Sequence, residues 1–277
     1  MMAISLALTL VLLLIGSVAG MLGALLGIGG GVFLVPTFVL VLHLPMRVAV
    51  GISLTTVIAT SSVVSAGRVG RRLINMRLAM LLQVATTAGA FTGGVVAWLL
   101  APRVLQALFG VVTAATAAVM MTRLKRRNVI LDPTVDPGVL GGSYYEEESG
   151  AEVRYRVRRL PVALGTSFVA GGVSSLIGIG GGIITVPTLN AWCGVPLRAA
   201  AAISGLMIGV TATGGAIIYY ARGEVVPSIA AATVLGVLAG SRAGFYISAR
   251  SKALHLKLLM AAVLLVVSGL MFARAMQ

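Results

Sequence analysis

The sequence predicts an all-α integral membrane protein built from two copies of one helical unit. Of its 277 residues, 58% are hydrophobic and only 10% are charged, and the mean hydropathy is +1.05. Long apolar stretches recur along the whole chain, and the glycine run GIGGG occurs twice, 151 residues apart. A soluble domain of this size uses about a quarter charged residues, so this composition fits a chain surrounded by lipid.

About eight stretches are long and apolar enough to cross a bilayer, which takes roughly 20 residues as a helix. They are residues 4–26, 48–66, 78–100, 104–122, 161–177, 199–220, 226–248 and 256–274. Two further apolar pieces, 32–42 and 183–193, have only 11 residues each. At about 1.5 Å per residue they reach half way through a bilayer, so they are predicted to be half-helices or re-entrant segments.

The first apolar stretch is predicted to remain in the protein as a transmembrane helix. Residues 3–15 could alternatively be the hydrophobic part of a cleaved signal peptide. However, no Lys or Arg precedes Arg47, so the basic segment that opens a signal peptide is missing. The apolar stretch also continues to Leu26, which is longer than such a signal requires.

A charged linker, residues 123–160, separates a first membrane repeat, 1–122, from a second, 161–277. Six of the seven acidic residues of the chain lie in this linker, and basic residues flank it on both sides. Such a segment cannot bury enough apolar surface to fold readily, so it is predicted to be a solvated, poorly ordered tether.

Basic residues predict that the linker is cytoplasmic, because positively charged loops stay on that side of the cell membrane. Twelve of them flank the linker or lie between the second and third spans: Arg123, Lys125, Arg126, Arg127, Arg154, Arg156, Arg158, Arg159, Arg68, Arg71, Arg72 and Arg77. With four spans in each repeat, both termini would be cytoplasmic too. Arg250, Lys252 and Lys257 disagree, because this arrangement places them outside.

The internal repeat is visible when residues 27–62 are laid over 178–213 without a gap. Fourteen of the 36 positions are identical, and the matches fall on glycine, proline and arginine at fixed offsets. Chance similarity between two apolar segments would instead match Leu, Val and Ala. Because four spans return the chain to its starting side, the copies are predicted to be parallel four-helix repeats, related by an axis along the membrane normal.

The two GIGGG runs are predicted to face each other inside the protein. Each glycine costs a helix about 1 kcal/mol relative to alanine, and unwound backbone persists in a membrane only where it is buried or lines a wet cavity. A new helical piece follows each run, so free N–H groups and a positive dipole end would form an anion site there. The alternative is helix packing through small residues, which is the favoured interpretation for Gly89-x3-Gly93 and Gly236-x3-Gly240.

The predicted substrate site combines the two glycine runs with nearby polar side chains. Its residues are Gly29, Gly30, Gly31, Thr37, Ser53, Gly180, Gly181, Gly182, Thr188, Asn190 and Ser204. Hydroxyl and amide groups can donate hydrogen bonds to an oxyanion, although a hydroxyl can equally bond to its own helix. Arg47 and Arg198 lie at matched helix starts, where they either gather anions at the outer mouth or extend to lipid head groups.

The distribution of acidic residues favours an anionic substrate. Outside the linker the only acidic residue is Glu224, and no Asp or Glu lies within a span. Cation transporters and proton relays usually carry carboxylates inside the membrane. Proton coupling through a buried carboxylate is therefore excluded, whereas coupling to sodium, or to protons by another route, stays open.

Enzymatic chemistry is not expected of this chain. Cys193 is the only cysteine, and His43 and His255 have no carboxylate near them in the sequence. A metal-ligand cluster, a GxSxG nucleophile and a phosphate-binding loop are all missing, which also disfavours an ATP-driven pump. No cofactor and no nucleic-acid partner are expected.

The doubled GIGGG-x3-VPT motif resembles the sulfite exporter TauE/SafE family, also described as toluene-sulfonate uptake permeases. The continuations PMRVAVGIS and PLRAAAAIS, and GVLAGSRAG in the second half, strengthen the resemblance. It covers nearly the whole chain except the linker, which is longer than such proteins usually have. The resemblance implies transport of small, often sulfur-containing, anions such as sulfite, sulfonates and sulfoacetate.

The leading functional prediction is a secondary transporter that holds a small anion between the two glycine breaks while the two halves rock around it. Two alternatives stay open. The same dipoles would serve a passive anion channel, and the charged linker would serve a membrane-anchored scaffold. Substrate identity, direction, coupling ion and oligomeric state are not contained in the sequence.

Overall fold

The computed structural model describes residues 6–26, 29–69, 74–122, 136–146, 151–250 and 253–276. Within these ranges the chain forms ten helices and one two-stranded hairpin. The helices are α1 (Leu6–Leu26), α2 (Gly31–Leu40), α3 (Met46–Val69), α4 (Met76–Leu99), α5 (Pro102–Thr122), α6 (Leu160–Ile177), α7 (Gly182–Ala191), α8 (Leu197–Ala221), α9 (Pro227–Arg250) and α10 (Ala253–Ala275). The strands are β1 (Gly142–Glu146) and β2 (Ala151–Tyr155).

The fold is that of an all-α membrane protein. Among the described residues, five segments have both the length and the hydropathy of a membrane span: Leu6–Ala24, Met46–Ala66, Met76–Leu99, Leu160–Ile177 and Arg198–Ala221. Shorter apolar helices cover Gly31–Leu40, Pro102–Ala118 and Ala261–Ala275. The predicted count of about eight spans stays a prediction.

The two repeats correspond helix by helix, with α1–α5 in the first and α6–α10 in the second. The predicted half-helices are present as α2 and α7, each of 10 residues and each preceded by its glycine run. The chain breaks sharply before both of them, because Gly29 and Gly180 have φ angles of +78° and +80°. This left-handed conformation is readily available only to glycine.

The repeats are intertwined through close helix packing. Helix α1 of the first repeat lies along α9 of the second, and α6 of the second lies along α4 of the first. A Cβ atom at Gly89 would overlap the carbonyl of Phe168, and one at Gly240 would overlap the carbonyl of Ser17. The packing role predicted for these two glycine pairs is confirmed, because only glycine allows the backbones to approach so closely.

The equivalent helices α3 and α8 pack against each other at the centre in opposite directions. Gly51, near the start of α3, lies against Tyr219 at the end of α8. Further along α3, the Ser61 hydroxyl bonds to the Gly205 carbonyl, near the start of α8. The predicted parallel arrangement of the two repeats is therefore wrong. An axis along the membrane normal would make equivalent helices parallel, so the repeats are inverted with respect to each other.

The inversion follows from the re-entrant geometry of α2 and α7. Helix α2 starts beside the middle of α3, where Gly31 meets Ser53 and Val57, and ends near the start of α3. Each helix–break–helix unit thus returns the chain to the side it came from. In each repeat the three remaining long helices, α3–α5 and α8–α10, run between the two ends of the bundle. An odd number of such passages inverts the next copy.

The bundle accordingly has two distinct faces. The linker face carries the starts of α4, α6 and α8, whereas the terminal face carries the starts of α1 and α3. Helix α1 runs parallel to α9, since Ser17 bonds to Gly236 and Gly20 to Ser241. The start of α9 lies near the start of α3, because Gly51 meets the carbonyl of Glu224. The linker and the start of α1 therefore lie on opposite faces, which corrects the expectation that they share one side.

Part of the linker is folded, which corrects the prediction of a poorly ordered tether for those residues. Strands β1 and β2 pair antiparallel, with Tyr144 opposite Val153. Tyr144, Val153 and Tyr155 are buried against Leu78 of α4 and other apolar residues of the bundle. These alternate residues share one face of the hairpin, as the twofold periodicity of a strand requires.

Candidate functional site

The two glycine breaks meet at the centre of the bundle. A Cβ atom at Gly31 would overlap the carbonyl oxygen of Gly178 and lie 2.8 Å from the Ser53 hydroxyl. At Gly29 the nearest atoms are the Val57 side chain and, at 3.8 Å, the carbonyl oxygen of Ile179. Two unwound segments that are far apart in sequence thus lie in direct contact inside the protein.

The three glycines that precede or open each half-helix have three different roles. Gly29 and Gly180 make the left-handed turn described above. Gly30 and Gly181 cap the helices and face backbone of the preceding helix, at Ala19 and Ala170 respectively. Gly31 and Gly182 open α2 and α7 and face the matched serines Ser53 and Ser204.

The matched serines differ in their hydrogen bonds although both are buried. Ser53 donates its hydroxyl hydrogen to the carbonyl oxygen of Gly178 at 2.7 Å. Ser204 is 1% exposed, yet its hydroxyl has no hydrogen-bond partner in the described part of the chain. A buried hydroxyl without a hydrogen-bond partner costs free energy of folding. Ser204 is therefore expected to find its partner in a ligand or in a second conformation of the protein.

The start of α7 carries several donors that have no partner in the part of the chain that the structure describes. Within residues 151–250, the backbone N–H groups of Gly181, Gly182 and Ile183 make no hydrogen bond, as expected for the first turn of a helix. The buried hydroxyl of Ser174 on α6 also lacks a partner. Ser174, Gly181 and Ile183 border a small cavity of about 10 Å³. The rest of its lining is Gly180 and the apolar residues Val112, Ala170, Val173, Ile177, Ile179 and Ile184.

This cavity has room for about one water molecule in the conformation described. A larger ligand would require α6 and α7 to separate. The positive end of the α7 dipole and the free N–H groups together favour a negatively charged group at this position.

The polar side chains of three predicted site residues make hydrogen bonds away from the glycine breaks. The hydroxyls of Thr37 and Thr188 bond to the carbonyls of Phe33 and Ile184, four residues back in their own helices. The Asn190 amide donates to the carbonyl of Val195, in the turn between α7 and α8. These side chains are therefore not part of the cluster around the breaks.

The two arginines lie on opposite faces of the bundle and in different environments. Arg47 donates to the carbonyls of Trp98 and Leu100 at the end of α4, both at 3.1 Å. Its guanidinium lies 4.4 Å from the centre of the Trp98 ring, and Arg222 lies 4.8 Å from the same ring. Arg198, at the start of α8, is exposed. Arg47 thus ties α3 to α4, as cations do at helix C-termini.

Sequence reasoning missed Ser174, which lies four residues before the second GIGGG run. The matched residue of the first repeat is Gly23. This departure from the repeat was the available signal, because a hydroxyl present in one copy alone is not needed for the shared fold. No group of three His, Cys, Asp or Glu residues that could hold a metal occurs in the part of the chain that the structure describes.

Apolar helices of membrane-spanning length, inverted repeats and glycine breaks that meet at the centre are the architecture of a multi-pass membrane transporter. The sulfite exporter TauE/SafE family profile matches residues 12–271. The chain belongs to this family.

Two relatives share most of their length with this chain. It is 24% identical over 264 residues to the probable membrane transporter protein YunE of Bacillus subtilis, covering 93% of this chain and 94% of the relative. It is 27% identical over 274 residues to the probable membrane transporter protein MJ0441 of Methanocaldococcus jannaschii, covering 91% of each. No solved structure matches the chain.

Proposed function

We propose that this protein is a secondary transporter that moves a small anion, such as sulfite or a sulfonate, across the cell membrane. The substrate binds where the two glycine breaks meet, and chiefly at the start of α7. The observation that carries the proposal is a group of donors that have no partner among the described residues: the N–H groups of Gly181 and Gly182 and the buried hydroxyls of Ser174 and Ser204.

Charge supports an anion at this position. No acidic residue lies within a span, so a cation would find no carboxylate near the breaks. Hydroxyl and backbone N–H groups can hold an oxyanion without a formal positive charge, and burial strengthens these hydrogen bonds.

The inverted repeats support alternating access. In such proteins the two repeats can exchange conformations about a fixed central site. Ser53 has a hydrogen-bond partner, whereas the matched Ser204 has none among the described residues. If the repeats exchanged conformations, Ser204 would gain such a bond and Ser53 would lose it. The Gly178 carbonyl that binds Ser53 belongs to the second break, so a movement of either half changes this contact.

The distribution of basic residues supports a cytoplasmic linker face and outward termini. The twelve basic residues at or near the linker adjoin helix ends on this face. Arg250 ends α9, Lys252 follows it in the sequence, and Lys257 is the fifth residue of α10, so these three belong to this face as well. Some of these residues lie outside the described ranges, but the helix ends on either side of them are described. The three residues that disagreed with parallel repeats agree with inverted ones.

The test is uptake of radiolabelled sulfite into liposomes that carry the purified protein. We expect saturable uptake that unlabelled sulfonates inhibit and that unlabelled substrate trapped inside the vesicles accelerates. Uptake without such acceleration would indicate a channel, because a channel has no exchange step. No uptake of sulfite, sulfate, thiosulfate, taurine or sulfoacetate would contradict an anion transporter and favour the scaffold.

A further inference from the structure

The folded part of the linker holds one end of the re-entrant helix α7. The Arg158 N–H donates to the carbonyl of Cys193, in the turn that joins α7 to α8, at 2.9 Å. Val153 of β2 belongs to the same buried cluster as Leu189 at the end of α7 and Val195 in the turn. One side of the hairpin thus covers the end of the helix whose other end carries the proposed anion site.

A second set of contacts fixes the hairpin to a different repeat. The Asn75 side chain, at the start of α4, donates to the carbonyls of Leu140 and Gly141 at 2.9 Å each. The Leu78 side chain of α4 is in the same apolar cluster as the hairpin. The hairpin therefore connects α7 of the second repeat to α4 of the first.

The matching end of α2, on the terminal face, is more open. Leu42 and Leu44 are partly exposed and Pro45 is exposed, whereas their counterparts Cys193, Val195 and Pro196 are buried. The two re-entrant helices have the same length and the same glycine break. Among the described residues, the linker covers the end of α7 and does not cover the end of α2.

We propose that the hairpin is a latch that holds α7 in the conformation described and must release it during each transport cycle. This inference rests on the proposed function, since a helix that carries part of the site has to move for the site to change sides. The latch makes α7 slower to move than α2. The stability of the hairpin contacts then sets the rate at which the protein exchanges between its two transport conformations.

The protein contains a natural reporter for release of the latch. Cys193 is its only cysteine and is 0% exposed beneath the hairpin. Burial also raises the pKa of the Cys193 thiol, which keeps it in the unreactive protonated form. A thiol-reactive maleimide should therefore modify Cys193 slowly while the hairpin is docked and faster once it is released.

Three variants of the full chain test the latch, and each is measured for Cys193 modification and for sulfite uptake. Tyr144→Ser removes a ring that is 3% exposed, and Tyr145→Ser is the matched control, because Tyr145 is 63% exposed on the other side of β1. Asn75→Asp retains the oxygen that caps α4 at Leu78 but replaces the amide that donates to the hairpin. It provides a milder variant if Tyr144→Ser does not fold.

We expect Tyr144→Ser to accelerate Cys193 modification about tenfold or more, from the loss of a buried aromatic ring. Asn75→Asp should accelerate it about fivefold, and Tyr145→Ser should leave it unchanged. In liposomes the first two variants should also raise the maximal rate of sulfite uptake roughly threefold with KM unchanged.

Faster modification with unchanged or reduced uptake would overturn the latch, because the hairpin would then open without affecting transport. Equal modification rates in Tyr144→Ser and Tyr145→Ser would overturn it as well. Absence of uptake in the wild-type protein would instead contradict the proposed function, and the modification rates would still show whether the hairpin releases Cys193.

Discussion

Ser53 of the first repeat donates a hydrogen bond to the carbonyl oxygen of Gly178 in the second, across 125 residues of sequence and at 2.7 Å. The bond ties the middle of α3 to the point where α6 ends and the second glycine break begins. It connects a long helix of one repeat to the break of the other and gives the Gly178 carbonyl a hydrogen-bond donor.

Replacing Ser53 by alanine should destabilise the protein. The buried Gly178 carbonyl would lose its donor, which costs about 1–3 kcal/mol. The measurement is thermal or denaturant unfolding in detergent. Ser62→Ala is the control, since Ser62 is exposed and bonds only to its own helix. Equal stability of the two variants would show that the bond contributes nothing.

Replacing Ser174 or Ser204 by alanine should weaken substrate binding with little loss of stability. Neither hydroxyl has a partner in the described residues, so folding loses no hydrogen bond. If each donates to the anion, its loss should raise KM for sulfite about 3–10-fold, at about 1 kcal/mol per bond. Uptake kinetics at equal protein content measure this. Unchanged KM in both variants would remove these serines from the site.

The two arginines should respond in opposite ways to replacement by glutamine. Arg47→Gln loses two hydrogen bonds and the contact with Trp98, so we expect a loss of stability of at least about 2 kcal/mol with KM unchanged. Arg198→Gln, at an exposed position, should leave stability unchanged and raise KM at low salt. Parallel unfolding and uptake measurements distinguish the two. A raised KM in Arg47→Gln with normal stability would restore its predicted role in gathering anions.

The orientation of the bundle can be tested with single cysteines in a Cys193→Ala background. Met276 near the C-terminus and Val139 in the linker are 87% and 78% exposed. In intact cells a membrane-impermeant maleimide should modify Met276→Cys at once and Val139→Cys only after permeabilisation. Modification of both positions in intact cells, or of neither, would place them on one side and contradict the inverted repeats.

Much of the fold could be predicted from the sequence because hydropathy and glycine carry strong signals. The half-helices at 32–42 and 183–193 were predictable, since 11 apolar residues cannot cross a bilayer and the GIGGG run breaks the chain. The relative direction of the repeats was not predictable from span counting. If α1 and α6 are counted as ordinary crossings, each repeat has an even number of them and the copies come out parallel. The structure shows that α2 turns back to the side where α1 begins, so the number of crossings is odd and the copies are inverted.

The site was partly predictable for a related reason. Glycines at repeated offsets marked the breaks, and Ser53 and Ser204 could be found because they also repeat. The hydroxyls of Thr37 and Thr188 repeat equally well but bond to their own helices. Sequence does not show which face of a helix points to its neighbour in an inverted arrangement. Ser174 was missed because it has no counterpart.

The hairpin escaped prediction because its charged surroundings dominate the composition of the linker. The strands are too short for the alternation of apolar and polar residues around Tyr144, Val153 and Tyr155 to be a clear signal. The apolar face of the hairpin is stable only because it packs against the helix bundle. A two-stranded hairpin alone is marginal in water, so the tertiary contact decides whether it forms.

The Gly182→Ala variant tests whether the anion binds at the start of α7. The added methyl group would lie 2.9 Å from the Ser204 hydroxyl and 2.5 Å from Cδ1 of Ile208, which are ends of side chains that can move aside. The fold should therefore tolerate the change, while the methyl group takes the space between Gly182 and the Ser204 hydroxyl. Gly165→Ala is the control, because no atom lies within 4 Å of a Cβ there.

The measurement is sulfite uptake by both variants in liposomes at equal protein content. We expect Gly182→Ala to lose at least about 90% of the wild-type rate while inserting and unfolding normally, and Gly165→Ala to retain the full rate. Wild-type uptake in a correctly folded Gly182→Ala protein would contradict the claim that the anion binds at the start of α7.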